Sequence, residues 1–292
     1  MTAPGAGPVI VGVDGGASGK DALMLGRWAA GLLEVPLVVA VVHPEPAGGA
    51  GRVDAEWIAD RHRAAEVVLD EARAMLQDTG GTVEYRPVAS TSAAHGLHDL
   101  AEELDAQVIV VGSGRAAPPM RLFAGSTAER LLAGSVCPVA VAPAGMPNPP
   151  GSLSRIGVAF IDTPDARAAL DAAADVAQRT GSRLRLYTVV ADNDTTLPPL
   201  IGEDSERAFL SLAREQYETS LNAAVATVPG IDADFKILTG NVVETLSELD
   251  DVDVLFCGSR GYGPARRVLL GGVSTKLMRR ARRPIVVVPR GD

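Results

Sequence analysis

The feature that most constrains the fold of this chain is an internal repeat. Each copy contains a β-branched run that ends on a glycine and opens a glycine-rich loop of the same length, from Gly112 to Gly125 and from Gly258 to Gly271. The two copies lie 146 residues apart, so half of the chain repeats the other half. A chain of 292 residues is long enough for two domains that each bury a core.

Composition favours two α/β domains and a small-molecule ligand. Apolar residues make up 47% of the chain and aromatic residues only 4%, which is typical of aliphatic parallel strands and alanine-rich helices. The net charge of −9 argues against nucleic acid or an anionic membrane as partner. Without a basic leader or a long apolar run, we expect a cytoplasmic protein. Its cysteines, Cys137 and Cys257, are expected to be buried thiols.

The pattern of the first half alternates strands and helices, and the second half repeats the order from Ile156 to Val288. The expected strands of the first half are 9–14, 37–42, 82–89, 108–111 and 137–142, and the expected helices are 20–33, 54–78, 96–104 and 126–133. Alternation of this kind predicts a parallel sheet with helices on both faces. A proline- and glycine-rich linker at 144–153 separates domains at 1–143 and 154–292.

Ligands of an open parallel sheet bind beyond the carboxyl ends of its strands, where the strand order reverses. Asp14 follows the first strand, and the loop from Gly112 leads to Gly125, Ser126 and Thr127 at the start of a helix. A carboxylate can accept hydrogen bonds or help to hold Mg²⁺, and free N–H groups at a helix start suit phosphate. Each element alone is also an ordinary turn, and neither the P-loop nor the Rossmann fingerprint is present.

The two loops resemble the universal stress protein signature, Gly-x2-Gly-x9-Gly-(Ser/Thr), and the resemblance covers both halves. A tandem member is therefore expected. The resemblance implies two five-stranded parallel sheets of a Rossmann-like, adenine nucleotide alpha hydrolase-like fold, each binding ATP as its Mg²⁺ complex. It also implies that the two domains of the chain pair with each other and that whole chains form a homodimer.

The family's binding positions carry over with departures in each half. In the first half Arg115 stands in the place of the second glycine, with Gly114 one residue early. In the second half Gly258, Gly261 and Gly271 match the signature, but Gly272 stands where serine or threonine is expected, followed by Val273 and Ser274. Each departure is expected to weaken binding about tenfold. The sequence therefore predicts two nucleotide sites of unequal affinity.

The polar contact to base or ribose is expected from Asp14. Counted back from Leu23 and Leu170, Asp14 falls opposite Ile161, so Asp162 is one residue out of register unless the turn in the second half is shorter by one residue. One further position in each half, late in the second strand, matches the place where the family's backbone meets adenine. Both positions also fit ordinary residues of the hydrophobic core. These positions are Val41 and Val189.

The expected function is that of an ATP-binding, nucleotide-responsive regulator in stress adaptation, and this role comes wholly from the resemblance. One alternative is an enzyme that slowly hydrolyses ATP or adenylates a substrate, with Asp14 as its base. Another is an interaction module that no longer binds nucleotide, which Arg115 and Gly272 favour. No catalytic set is expected.

Two histidines and three arginine pairs are more simply explained by surface positions than by a binding site. His95 and His98 lie three residues apart without a clear acidic or thiolate partner, so no metal site is expected. The arginine pairs at 266–267, 279–280 and 282–283 suit phosphate or an acidic partner surface, but solvated ends of a helix and a strand are the favoured interpretation.

Overall fold

The chain divides into two compact units, Met1–Ser152 and Leu153–Asp292. A computed structural model describes residues 7–45, 52–77, 80–114, 117–146, 149, 151–190, 203–259 and 272–289, with backbone only at 52–54 and 203–213. The division between the units lies inside the segment predicted as a linker. At the start of that segment the Ala144 carbonyl accepts a hydrogen bond from the Met120 N–H, and the Ala144 N–H donates to the Arg121 carbonyl.

Unit 1 is a five-stranded parallel sheet with four helices. Its elements are β1 (Val9–Gly12), α1 (Ala17–Leu33), β2 (Leu37–Pro44), α2 (Arg52–Met75), β3 (Val83–Ser90), α3 (Ala93–Leu104), β4 (Val108–Gly112), α4 (Ser126–Gly134) and β5 (Val139–Ala142). The strands lie in the order β3-β2-β1-β4-β5. The order reverses next to β1, which has β2 on one side and β4 on the other.

Unit 2 repeats this topology. Its elements are β6 (Arg155–Ala159), α5 (Pro164–Thr180), β7 (Arg183–Val190), α6 (Glu203–Ala226), β8 (Ala233–Thr239), α7 (Val242–Ser247), β9 (Val254–Gly258), α8 (Gly272–Leu277) and β10 (Ile285–Val288). The strands lie in the order β10-β9-β6-β7-β8, all parallel. The predicted fold class, two tandem α/β domains with five-stranded parallel sheets, is confirmed.

The strands form where β-branched residues are covered on both faces. Val9, Ile10 and Val11 of β1 are fully buried, as expected for a central strand of a parallel sheet between two helical layers. Helix α1 lies so close to this strand that a Cβ on Gly26 would come within 1.9 Å of a methyl carbon of Val11. The glycine in the middle of α1 therefore lets the helix rest directly on the sheet.

Several elements begin at positions other than those predicted. Helix α1 starts at Ala17 rather than at 20, and α3 starts at Ala93 rather than at 96, where the Ser92 hydroxyl accepts a hydrogen bond from the His95 N–H. The expected starts were too late because they followed the first apolar residues, whereas caps and small residues begin the helices one turn earlier.

Within the described segments, no helix is both long and apolar enough to cross a membrane.

Candidate functional site

A cavity of about 370 Å³ lies in unit 1 at the carboxyl ends of β1 and β4. This is the place where the strand order reverses, and therefore the place that sheet topology favours for a ligand. Its walls come from the ends of strands β1, β2 and β4 and from the first turns of α1, α3 and α4. These strand ends and helix starts thus bring backbone amides, hydroxyl groups and one carboxylate to a single opening.

The start of α4 presents backbone N–H groups to this cavity. Gly125 is the N-cap and supplies no side-chain hydrogen bond, while Ser126 and Thr127 form the first turn. Gly114 lies against Gly125, since a Cβ on Gly114 would approach the Gly125 Cα to 3.1 Å. The Gly114 N–H donates to the Phe123 carbonyl at 2.5 Å, which closes the loop. Glycine at both positions therefore lets the loop fold back onto the helix start.

The start of α1 reaches the same cavity. Its N-cap, Gly16, also makes no side-chain capping bond, and Ser18 and Gly19 line the wall. Gly112, at the end of β4, has no room for a side chain, because a Cβ would lie 2.0 Å from the Ser18 carbonyl oxygen. The cavity consequently has two uncapped helix starts around it, each with a partial positive charge.

Asp14 is the one titratable side chain among the described residues that line the cavity. It follows β1, and one carboxylate oxygen accepts a hydrogen bond from the Gly16 N–H at 3.0 Å. Gly15, between them, has φ of +76°, a conformation that glycine adopts readily. The turn therefore holds the carboxylate at the rim, beside the first turn of α1.

One side of the cavity is apolar. Ala40 and Val42 contribute from β2, and Ala93 and Leu97 contribute from α3. Leu97 packs tightly over the end of β1, because a Cβ on Gly12 would lie 2.6 Å from one of its methyl carbons. The cavity thus joins an apolar wall to a rim of backbone amides and hydroxyl groups.

Ser113 is a site residue that sequence reasoning missed. Its hydroxyl is buried, donates to the Ala142 carbonyl at 2.8 Å, and accepts a hydrogen bond from the Phe123 N–H at 3.4 Å. These bonds tie the loop after β4 to the end of β5. The sequence shows a serine inside a Gly-Ser-Gly stretch, but it does not reveal the role of this serine, because its partners come from other segments.

Unit 2 differs at the equivalent of the α1 start. A Cβ on Gly258 would lie 2.6 Å from the Asp165 carbonyl oxygen, so Asp165 takes the place that Ser18 has in unit 1. The Asp165 side chain is only 7% exposed, and its carboxylate accepts a hydrogen bond from the Ser259 hydroxyl at 3.4 Å. Helix α5 is capped, because the Thr163 hydroxyl oxygen accepts a hydrogen bond from a first-turn N–H.

Comparison with known proteins identifies the family. Residues 6–143 and 153–289 each match the model of the universal stress protein family. A universal stress protein of Mycobacterium tuberculosis strain H37Rv is 30% identical over 293 residues, which cover 96% of this chain and 99% of the relative. The chain belongs to the universal stress protein family. The resemblance seen in the glycine loops, including the tandem organisation, is confirmed.

Solved structures of similar proteins share the fold of this universal stress protein. A crystal structure of a universal stress protein from Archaeoglobus fulgidus has a TM-score of 0.67 at 23% identity, covering 98% of this chain and 97% of that chain. A functionally unknown protein from Pseudomonas aeruginosa PAO1 also has a TM-score of 0.67, at 14% identity, covering 98% and 93%.

In unit 1 the structure brings most of the predicted site residues of this universal stress protein together. One cavity is lined by Asp14, Gly112, Gly114, Gly125, Ser126 and Thr127. Val41 is buried in β2, and its neighbours Ala40 and Val42 line the cavity. Arg115 lies outside the described residues, so its expected role stays a prediction.

In unit 2 most of the described predicted residues lie in β7, at the end of β9 and at the start of α8. Ser274 is buried and its hydroxyl donates to the Gly258 carbonyl at 2.8 Å, so that hydroxyl is already engaged within the protein. Gly272 is the exposed first residue of α8, with Val273 next to it. Val189 lies half-buried in β7. The positions Gly261 and Gly271 lie outside the described residues.

Asp162, which lies just before helix α5, has an ion-pair partner on that helix. The Arg167 guanidinium donates to its carboxylate at 2.6 Å, and this hydrogen bond lowers the pKa of Asp162. The N-caps Gly16 and Thr163 occupy equivalent positions, 147 residues apart. In that register Asp162 is equivalent to Gly15, not to Asp14.

The prediction that His95 and His98 lack acidic partners was wrong, because both have acidic neighbours. The ligand atoms of His98, Asp99 and Glu102 lie within 4.8 Å of one another, and His95 lies 3.4 Å from Asp99. Both carboxylates are exposed to solvent on α3, where such pairs are common and weak. This arrangement by itself indicates surface ion pairs.

Two arginines of the basic cluster contact acidic side chains of unit 2. Arg280 lies 3.4 Å from Glu244, and Arg282 lies 2.7 Å from Glu248, at exposed positions. The pairs fit the favoured interpretation of a solvated helix end. Residues 266–267 lie outside the described part of the chain.

Proposed function

We propose that this universal stress protein binds ATP with Mg²⁺ in the unit 1 cavity and acts as a nucleotide-responsive regulator in stress adaptation. The observation that carries the proposal is the meeting of two uncapped helix starts, at Gly16 and Gly125, around one cavity. Free N–H groups and the helix dipole favour phosphate at such positions. The stress role itself comes from the family.

The walls of the cavity suit the parts of an adenine nucleotide. The apolar side formed by Val42, Ala93 and Leu97 fits a flat base, since ligand pockets combine apolar walls with a few oriented polar groups. Asp14 would accept a hydrogen bond from ribose or base. Mg²⁺ prefers oxygen ligands and is usually held by phosphates and one or two carboxylates, so Asp14 is also the group that would help to hold it.

A regulator is favoured over an enzyme because the described wall offers little for catalysis. Asp14 is its only titratable side chain, and one of its oxygens already accepts the Gly16 N–H. Slow hydrolysis with Asp14 as base remains the second candidate, since a carboxylate at the rim could orient water. Loss of nucleotide binding, leaving an interaction module, is the third candidate.

One experiment separates these three functions. The purified protein is denatured, any released nucleotide is identified by mass spectrometry, and added ATP is followed for hours in a parallel sample. Bound ATP that stays intact supports the regulator, whereas steady release of ADP that is lost in Asp14→Asn supports the enzyme. Absence of bound nucleotide together with no calorimetric signal at millimolar ATP contradicts both.

Assembly is proposed on the family resemblance, and location on the sequence pattern. We propose that the two domains pair within the chain, that whole chains form a homodimer, and that the protein is cytoplasmic. Light scattering on the eluted peak of a sizing column measures the mass directly. A mass near 30.2 kDa, that of one chain, would contradict the homodimer.

A further inference from the structure

We infer that Asp165 keeps nucleotide out of unit 2, so that each chain binds one nucleotide, in unit 1. The inference rests on the proposed function, because it concerns the same kind of ligand at the equivalent place of the repeat. It replaces the expectation of two sites that differ only in affinity. The two units differ in the residues that stand at the positions of Ser18 and Gly16.

Asp165 and Ser18 occupy the same place in the two units. In each unit the glycine that ends β4 or β9 lies against the first turn of a helix. A Cβ there would meet the carbonyl oxygen and the Cβ of the facing residue, Ser18 for Gly112 and Asp165 for Gly258. The same backbone approach therefore carries a hydroxyl group in unit 1 and a carboxylate in unit 2.

The Asp165 carboxylate changes the charge of the place that the cavity occupies in unit 1. Ser18 lines that cavity, whereas Asp165 is 7% exposed and hydrogen bonded to Ser259, directly after Gly258. A carboxylate removed from solvent interacts strongly with other charges, because water screens it poorly. It therefore repels phosphate groups where Ser18 offers a hydroxyl donor.

The helix starts differ in the same direction. The N-cap Gly16 has no side chain that could accept a hydrogen bond from the first-turn N–H groups of α1. In α5 the Thr163 hydroxyl accepts the Ala166 N–H at 3.3 Å, and Pro164 has no N–H at all. Fewer donors thus remain for an anion in unit 2.

Unit 2 also uses its nearby hydroxyl internally. Ser274 donates to the Gly258 carbonyl at 2.8 Å, while Gly272 replaces the hydroxyl residue of the family signature. The Asp165 carboxylate, the capped start of α5 and the engaged Ser274 hydroxyl all disfavour phosphate binding in this unit. Asp165 is the difference that adds a negative charge to unit 2, where Ile161 stands opposite Asp14, so we expect it to decide the outcome.

The test uses the full chain and calorimetric titration with ATP and Mg²⁺. The variant Gly125→Asp removes the unit 1 site, so that any remaining binding comes from unit 2. We expect no binding by this variant and a regained single site in Gly125→Asp/Asp165→Ser. The matched control, Gly125→Asp/Asp171→Ser, removes a carboxylate from an exposed position of the same helix α5 and is expected to bind nothing.

A reciprocal variant, which places the carboxylate in unit 1, tests the inference even if the double variants do not fold. Ser18→Asp in the otherwise wild-type chain is expected to weaken ATP binding at least about tenfold, equivalent to about 1.4 kcal/mol. Circular dichroism and thermal melting check that each variant is folded. Unchanged affinity in Ser18→Asp overturns the inference, and so do two ATP molecules per wild-type chain or no regained site in the double variant.

Failure of the proposed function has a different signature. In that case the wild-type chain takes up no ATP at millimolar concentration. If Asp165→Ser then gains a site, the role of Asp165 stands although unit 1 does not bind. If Asp165→Ser also takes up no ATP, both the function and the inference are overturned.

Discussion

Single glycines set the shape of the candidate site. Gly112 lies where the end of β4 touches the first turn of α1, and a Cβ there would lie 2.0 Å from a backbone carbonyl oxygen. A backbone atom cannot move aside as a flexible side chain can. We therefore expect Gly112→Ala to lower the free energy of unfolding of unit 1 by about 1–3 kcal/mol, the usual cost of overpacking.

Gly31 provides the matched control for this substitution. It lies inside α1, and a Cβ there meets nothing within 4 Å. Gly31→Ala is expected to stabilise the protein by about 0.5–1 kcal/mol, because glycine is a poor helix former. Urea unfolding measures both variants, and equal effects of the two substitutions would contradict the close approach at Gly112.

The two cysteines are predicted to be unreactive while the protein is folded. Cys137 and Cys257 are 7% and 3% exposed, and burial raises the pKa of their thiols to about 11 and about 12. Alkylation requires an accessible thiolate. At pH 8 we expect iodoacetamide to leave both unlabelled in native protein and to label both in urea. Rapid native labelling, seen by intact mass, would contradict their burial.

At the scale of residues, sequence predicted what local patterns determine. Asp14 and the glycines stand at strand ends and in tight turns, where residue type follows from backbone geometry. The internal bonds of Ser113 were missed because its partner Ala142 lies 29 residues away. The role of Asp165 was missed although the repeat register that relates Leu23 to Leu170 also relates Ser18 to Asp165.

Among the elements, strand β7 depends on a polar network at its amino end. Tyr187 donates to the Asp251 carboxylate at 2.6 Å, and Arg185 donates to the same carboxylate at 3.1 Å. Burial opposes ionisation of Asp251, but these hydrogen bonds and the nearby Lys236 hold its pKa below the usual range. Burial, and then the bond to Asp251, raises the pKa of Tyr187.

This network predicts a loss of stability at alkaline pH. Because the pKa of Tyr187 is higher in the folded protein, its contribution is complete below the unfolded pKa of about 10 and is lost as the pH rises through the higher folded pKa. Tyr187→Phe is expected to cost about 1.5–3 kcal/mol at pH 8, as for a hydrogen bond to a charged group. The difference from wild type should shrink as the pH is raised beyond 10.

Urea unfolding at pH 8 and at about pH 11, beyond the ordinary tyrosine pKa, measures this change. Tyr217→Phe on α6 makes the same chemical change at a half-exposed position and serves as the control. A cost for Tyr187→Phe that is the same at both pH values would show that the hydroxyl proton does not matter.

Element types were predictable because strands and helices have distinct periods. The β-branched runs of β1 and β4 leave little alternative to buried parallel strands. The starts of α1 and α3 were missed by one turn because small and polar residues begin these helices before any apolar residue appears. Side-chain networks such as the one at Asp251 join segments that are far apart in sequence, so no local pattern reveals them.

The whole molecule is a repeat whose two units have kept one topology and differ in their equivalent sites. The 146-residue spacing predicted the two sheets and their strand content, because a repeated sequence pattern folds into a repeated structure. Chemistry diverges more easily than topology, since Ser18 and Asp165 both fit beside a glycine at the end of a central strand. The unit 1 cavity therefore carries the central functional claim.

Calorimetric titration of ATP and Mg²⁺ into wild type and Gly125→Asp tests that claim most directly. Gly125 has extended backbone angles at the N-cap of α4, where aspartate is favoured, and a Cβ there would lie 3.2 Å from the Gly114 Cα. The variant should therefore fold with a small shift of the loop while its carboxylate occupies the helix start. Gly134→Asp, at the other end of α4, is the control. We predict one ATP per chain in wild type and control and none in Gly125→Asp. Equal binding by all three proteins, or by none, would contradict the account.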